Sequence, residues 1–151
     1  MTEIWFYHLQ SQPLARALPA LIEKGLARSW RVVVQTVDDL RVKALDDLLW
    51  TYAAESFLPH GAAREKDAAH QPILVTREGD NPNHAALRIY VEGAEIETAG
   101  QPDYARVILL FDGRNEAELE AARRQWTRLK GEGLALAYWR QTDEGRWDRQ
   151  M

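Results

Sequence analysis

Arg123, Arg124, Arg128 and Lys130 gather cations into one short segment, with Trp126 and Thr127 among them. Such a set can seat an anionic peptide that ends in an apolar side chain. Guanidinium forks bond a carboxylate at two points, and an indole offers an apolar wall. The same residues also have a local account. Residues 116–130 read as a helix with Glu116, Glu118 and Glu120 in its first half and the bases in its second, which complements the helix dipole. Glu120 and Arg124 stand at i, i+4, the spacing of an ion pair. Helical periodicity puts Leu119, Ala122, Trp126 and Leu129 on the core stripe and Arg123, Thr127 and Lys130 along its shoulder.

A second set of residues surrounds Trp50. Val42, Leu45, Leu48 and Leu49 share one helical face, and at about 100° per residue Trp50 falls roughly 140° from Leu45. Phe57, Pro59 and His60 follow in a segment expected to be polar. Trp50 is either covered by that segment or an interface anchor, and Phe57 either staples the loop to the core or joins the same interface.

Catalytic signatures are missing. The chain has no G-x-x-x-x-G-K-[ST] loop, no G-x-G-x-x-G after its first strand and no G-x-S-x-G elbow. His8, His60, His70 and His84 form no close H-x-x-x-H pair, so neither a metal nor a cofactor is expected. His8, Gln10 and Ser11 end a central strand, where open α/β sheets bind ligands. A small nucleotide-binding domain or enzyme with its site near His8 is therefore the alternative; a hydrogen-bonded strand-end histidine is the commoner case.

The elements that must position these residues alternate between strand and helix. Residues 3–9, 31–37, 72–76, 87–91, 104–111 and 134–142 are short apolar or β-branched runs and read as strands. Residues 14–28, 39–52 and 116–130 have helical spacing, with Asp38 or Asp39 as a cap for the second and Gly131 and Gly133 as stops for the third. Residues 53–71 read as a long surface loop. The pattern predicts one α/β domain over 1–151, a three-layer α/β/α sandwich on a mostly parallel sheet of about five strands.

Composition narrows the function further. The chain has 151 residues, no cysteine, and 19 Lys+Arg against 23 Asp+Glu, for a formal charge of -4. That excludes disulfides, thiolate metal sites and cysteine nucleophiles. It also argues against a protein that grips duplex DNA through phosphates. Neither a targeting segment nor a membrane span is visible, so a cytoplasmic protein without membrane contact is expected.

Several spaced motifs resemble one family. Phe6-Tyr7-His8-Leu9, the pattern Leu45-Asp46 with Leu49-Trp50 and then Glu55-Ser56-Phe57-Leu58-Pro59-His60-Gly61, Gly79-Asp80-Asn81-Pro82-Asn83, Leu109-Leu110-Phe111-Asp112 and Tyr138-Trp139-Arg140-Gln141 occur in the order found in the chi subunit of bacterial DNA polymerase III. The resemblance implies a non-catalytic accessory subunit of the clamp-loader assembly, with a Rossmann-like fold that lacks the phosphate loop. It implies a link to single-stranded DNA-binding protein through that protein's acidic C-terminal tail, and contact with DNA only indirectly.

Carried over by residue, the resemblance places the tail at Arg123 and Trp126, with Arg124, Arg128 and Lys130 as rim charges. Thr127 departs from the family, whose members can carry a base there. Trp50, Phe57, Pro59 and His60 match the motif near a partner surface for the psi subunit or an accessory helicase. Direct single-strand binding through exposed aromatics and the basic helix end is a third expectation, which the acidic balance opposes.

Overall fold

The computed structural model describes residues 3–10, 12–56, 61–62, 72–97, 104–144 and 146–150. Eight strands and three helices alternate: β1 (Ile4–Leu9), α1 (Leu14–Ala27), β2 (Val32–Gln35), α2 (Asp39–Ser56), β3 (Gly61–Ala62), β4 (Ile73–Thr76), β5 (Leu87–Val91), β6 (Arg106–Asp112), α3 (Glu116–Gly131), β7 (Leu136–Gln141) and β8 (Trp147–Arg149). The strands form one sheet in the order β3-β4-β2-β5-β6-β1-β7-β8. Every pairing is parallel except β7 with β8.

The α/β class and parallel sheet agree with the sequence, but the sheet is wider than about five strands. The excess comes from short edges. β3 is two residues long and lies inside the segment expected to be all loop, and α2 runs on to Ser56. β8 is a three-residue return of the chain onto β7. Pairs this brief carry too few residues for a periodic signal.

Alternation along the strands divides the core. Tyr7, Leu9, Val32, Val34, Ile89, Ile108 and Leu110 pack with Leu18, Ile22, Leu45 and Leu49 from α1 and α2. Ile4, Phe6, Tyr90, Leu109 and Phe111 point the other way and pack with Ala122 and Leu129 of α3. Each central strand is therefore apolar on both sides, which is why these strands read as continuous apolar runs.

Helix ends follow local chemistry. Asp38 Oδ1 accepts from Arg41 N at 2.8 Å and caps α2. Asn115 does the same for α3, accepting from Glu118 N at 3.1 Å. α3 ends at Gly133, whose φ of 81° lets Leu134 N reach Leu129 O at 3.3 Å. Gly131, expected as a stop, is the last residue of the helix. α1 closes with the same geometry but with Ser29 at φ 63°, which brings Trp30 N to Gly25 O at 3.1 Å. Pro19 sits inside α1 and leaves the Ala15 carbonyl without its usual helical donor.

One buried cation organises a loop. Arg88 is fully buried and bonds Gln35 Oε1, the Tyr104 hydroxyl at 3.0 Å and the carbonyl oxygens of Asp80 at 2.8 Å and Glu78. Its guanidinium is satisfied by neutral acceptors, which ties the segment at 78–80 to the sheet.

Candidate functional site

β1 and β6 are neighbours, yet their following helices leave on opposite faces. α1 carries the chain from β1 to β2, while α3 carries it from β6 over β1 to β7. This is the topological switch at which open α/β sheets form a crevice beyond the strand ends. A cavity of about 570 Å³ lies there, between α3 and the ends of β1, β6 and β7.

The cavity is walled by rings. Trp126 meets Phe6 edge-on, with centroids 5.1 Å apart, and Tyr138 at 5.9 Å. Phe111 lies 4.9 Å from the His8 ring. His8 Nδ1 is hydrogen-bonded to the Tyr138 hydroxyl. Gly113 makes room for that ring, because a Cβ at 113 would stand 1.7 Å from His8 Nε2. Leu119 and Ala122 complete the apolar side.

Two cations border the rings from different elements, Arg123 on α3 and Arg140 on β7. Among the described residues neither has a carboxylate within salt-bridge distance. Burial lowers the His8 pKa below its ordinary 6.5, and the charges of Arg140 and Arg123 lower it further against the opposing pull of Asp112. The floor is therefore neutral near pH 7, and the positive charge is kept at the rim.

The sequence-predicted residues divide. Arg123, Trp126 and Thr127 line the cavity together. The Thr127 hydroxyl donates back to the Arg123 carbonyl at 3.1 Å. Arg124, Arg128 and Lys130 do not line it. Arg124 meets Glu95 at 3.6 Å rather than Glu120. Arg128 donates to the Ile96 carbonyl and lies 3.6 Å from Glu132. Lys130 is exposed on the last turn. At 100° per residue Arg124 and Arg128 turn about 100° and 140° away from Arg123, whereas Lys130 keeps to its side of the helix but stands about two turns further along.

Trp50 lies on α2, with its side chain outside the described residues, as are Phe57, Pro59 and His60. His8, singled out for a different chemistry, belongs to the same cavity as Arg123. Arg140, Tyr138, Phe6, Phe111 and Gln150 were missed as site residues. The alternation Tyr138-Trp139-Arg140 carried the signal, since it sets Tyr138 and Arg140 on one face of a strand. Gln125 was missed too. It is buried on α3, where its Oε1 accepts from Ile96 N at 2.8 Å and its amide donates to Ala94 O at 3.2 Å.

No group of three or more metal-ligating side chains occurs among the described residues, and no described helix is long and apolar enough to cross a membrane.

Comparison with known proteins bears on the same segments. Residues 1–137 match the family model described as DNA polymerase III chi subunit, HolC. A protein of Rickettsia prowazekii (strain Madrid E) named "Probable DNA polymerase III subunit chi" is 30% identical over 117 residues, covering 74% of this chain and 71% of its own. A "DNA polymerase III subunit chi" of Pseudomonas aeruginosa is 30% identical over 140 residues, covering 90% of this chain and 94% of its own. With the family model spanning most of its length, and with an α/β sheet of the kind its motifs implied, the chain belongs to the DNA polymerase III chi subunit family.

Proposed function

We propose that this chain is a non-catalytic adaptor of the replicative polymerase, which holds the acidic C-terminal tail of single-stranded DNA-binding protein in the cavity under α3. One observation carries the proposal: Arg123 and Arg140, two cations without carboxylate partners among the described residues, border an aromatic cup. A tail of aspartates ending in an apolar side chain and a free carboxylate needs those two things side by side. The arginines fork onto carboxylates. The terminal side chain enters between Trp126, Phe6 and Phe111 and is dehydrated there.

A contact of this size has an affinity on the order of micromolar and weakens with salt. Several tails on one oligomer raise the effective concentration, so a weak single contact serves as a tether. The adaptor would work in the cytoplasm within the clamp-loader assembly, with a psi subunit or accessory helicase met near Trp50, Phe57, Pro59 and His60. It would reach the template through its tailed partner.

Titration with a fluorescent peptide copying the tail tests this. Arg123→Ala and Arg140→Ala are each expected to weaken binding by about tenfold or more, as loss of a charged hydrogen bond does. A peptide lacking its last residues should not bind. Absence of binding by the intact peptide would overturn the assignment, and so would binding by both variants as tight as that of the parent chain.

A further inference from the structure

The sheet face opposite the α3 cavity carries a feature that tail binding does not use. α1 covers the centre of that face and stops short of β7 and β8. Two grooves follow its flank, of about 490 and 210 Å³, and they meet at Tyr7, Leu21 and Lys24. Ala17 and Ala20 keep the helix side low.

The far side is a run of half-buried tryptophans packed around the buried Tyr7. Trp147 on β8 stacks on Tyr7 of β1 at 4.4 Å, Trp139 on β7 lies 5.0 Å from Trp5 of β1, and Trp30 stands beyond, just before β2. Cations are interleaved with them. The Arg106 guanidinium lies 3.6 Å from the centroid of Trp5 and 6.0 Å from that of Trp30. Arg28 lies 5.1 Å from Trp30, and Arg149 5.9 Å from Trp139.

Lys24 and Arg146 line the same trough. Among the described residues no carboxylate lies within salt-bridge distance of Arg28, Arg106, Lys24 or Arg146, and the acid on this border, Glu3, meets Arg149 at 3.4 Å. Asp148 belongs to the other face, because β8 alternates.

We propose that this trough binds a short stretch of single-stranded nucleic acid, with bases against the tryptophans and phosphates against Arg28, Arg106, Lys24 and Arg146. The occupant follows from the pattern. An acidic peptide with an apolar end needs a pair of forks beside one apolar cup, as on the α3 side. Rings and cations alternating across four adjacent strands fit a polymer that repeats a flat ring and an anion. From β8 to β6 the trough crosses three strand spacings of about 4.8 Å, room for a few bases. Duplex DNA keeps its ring faces stacked inside and cannot use these side chains. The local excess of cations is compatible with a chain of net charge -4, because binding by stacking needs few phosphates.

The test is anisotropy of a labelled oligothymidylate with the full chain at about 50 mM salt, where phosphate contacts count most. Quenching of tryptophan emission is read in the same titration. Micromolar binding is expected, weakened at least tenfold by the exposed charge reversals Arg28→Glu with Arg146→Glu and unchanged by Arg123→Ala. A duplex of the same length should bind at least tenfold more weakly. No binding by the parent chain would overturn the proposal. So would equal binding of duplex, or insensitivity to the double reversal. Loss on Arg123→Ala would move the site to the α3 end and also overturn it. Circular dichroism of the double variant verifies its fold. The result is independent of tail binding, since either ligand can fail while the other binds.

Discussion

At the scale of single residues, the α3 cavity depends on a histidine and on the space beside it. Gly113→Ala would place a methyl 1.7 Å from His8 Nε2, and the ring is held by Tyr138 and Phe111, so it cannot swing aside freely. We expect a stability loss of about 1–3 kcal/mol in urea denaturation, together with weaker peptide binding. Gly131→Ala is the control: nothing lies within 4 Å of its would-be Cβ. In a helix it should stabilise by about 0.5–1 kcal/mol. His8 supplies a pH test. Its folded pKa is below the 6.5 of an unfolded histidine, so in mild acid the unfolded chain takes up the extra proton. Its contribution to stability is complete above that value and is lost as pH falls through the folded pKa. An anionic ligand at Arg123 and Arg140 favours protonated His8, so peptide affinity should rise as pH drops from neutrality toward 6. His8→Gln should flatten both profiles.

At the scale of elements, two helices finish with the same hydrogen-bond pattern but different residues. α3 uses Gly133, whereas α1 uses Ser29 in the left-handed region. Ser29→Gly should raise stability by about 1 kcal/mol, read as a higher midpoint in thermal unfolding. The comparison shows what was legible in advance. The helix bodies were, because Leu18, Ile22, Leu45 and Leu49 repeat at helical spacing and are buried. The Ser29 turn was not, because serine carries no strong preference for that conformation. Nor was β3, whose two residues gain their strand geometry only from pairing with β4. Among the cations, Arg123 was legible from its place beside the core stripe. Arg140 was legible only as sharing a strand face with Tyr138; its partnership with α3 is a matter of strand order, which no local pattern encodes.

At the scale of the whole molecule, the sheet separates two surfaces. The cup lined by Arg123, Arg140 and Trp126 lies on one side, and the trough lined by Trp139, Trp147 and Arg146 on the other. Both sites are therefore open at once. Saturating tail peptide should leave oligonucleotide affinity within about twofold, since the two surfaces share no lining residue among those described. Competition in an anisotropy titration would mean that the ligands share a site. The formal charge of -4 gave no hint of either surface, because it sums over cations collected on two faces and acids spread elsewhere.

The alternation along β1 and β7 has a genetic consequence. Phe6 and His8 serve the cup while Trp5 and Tyr7 serve the trough; Tyr138 and Arg140 serve the cup while Trp139 serves the trough. Point changes can thus alter one surface and spare its neighbour one codon away. A single-codon insertion or deletion within β7 inverts the assignment of every later residue in the strand and strips both surfaces at once. Lineages of this chain should therefore vary in the turn between β7 and β8, Arg146 apart, and hold the length of β7 constant.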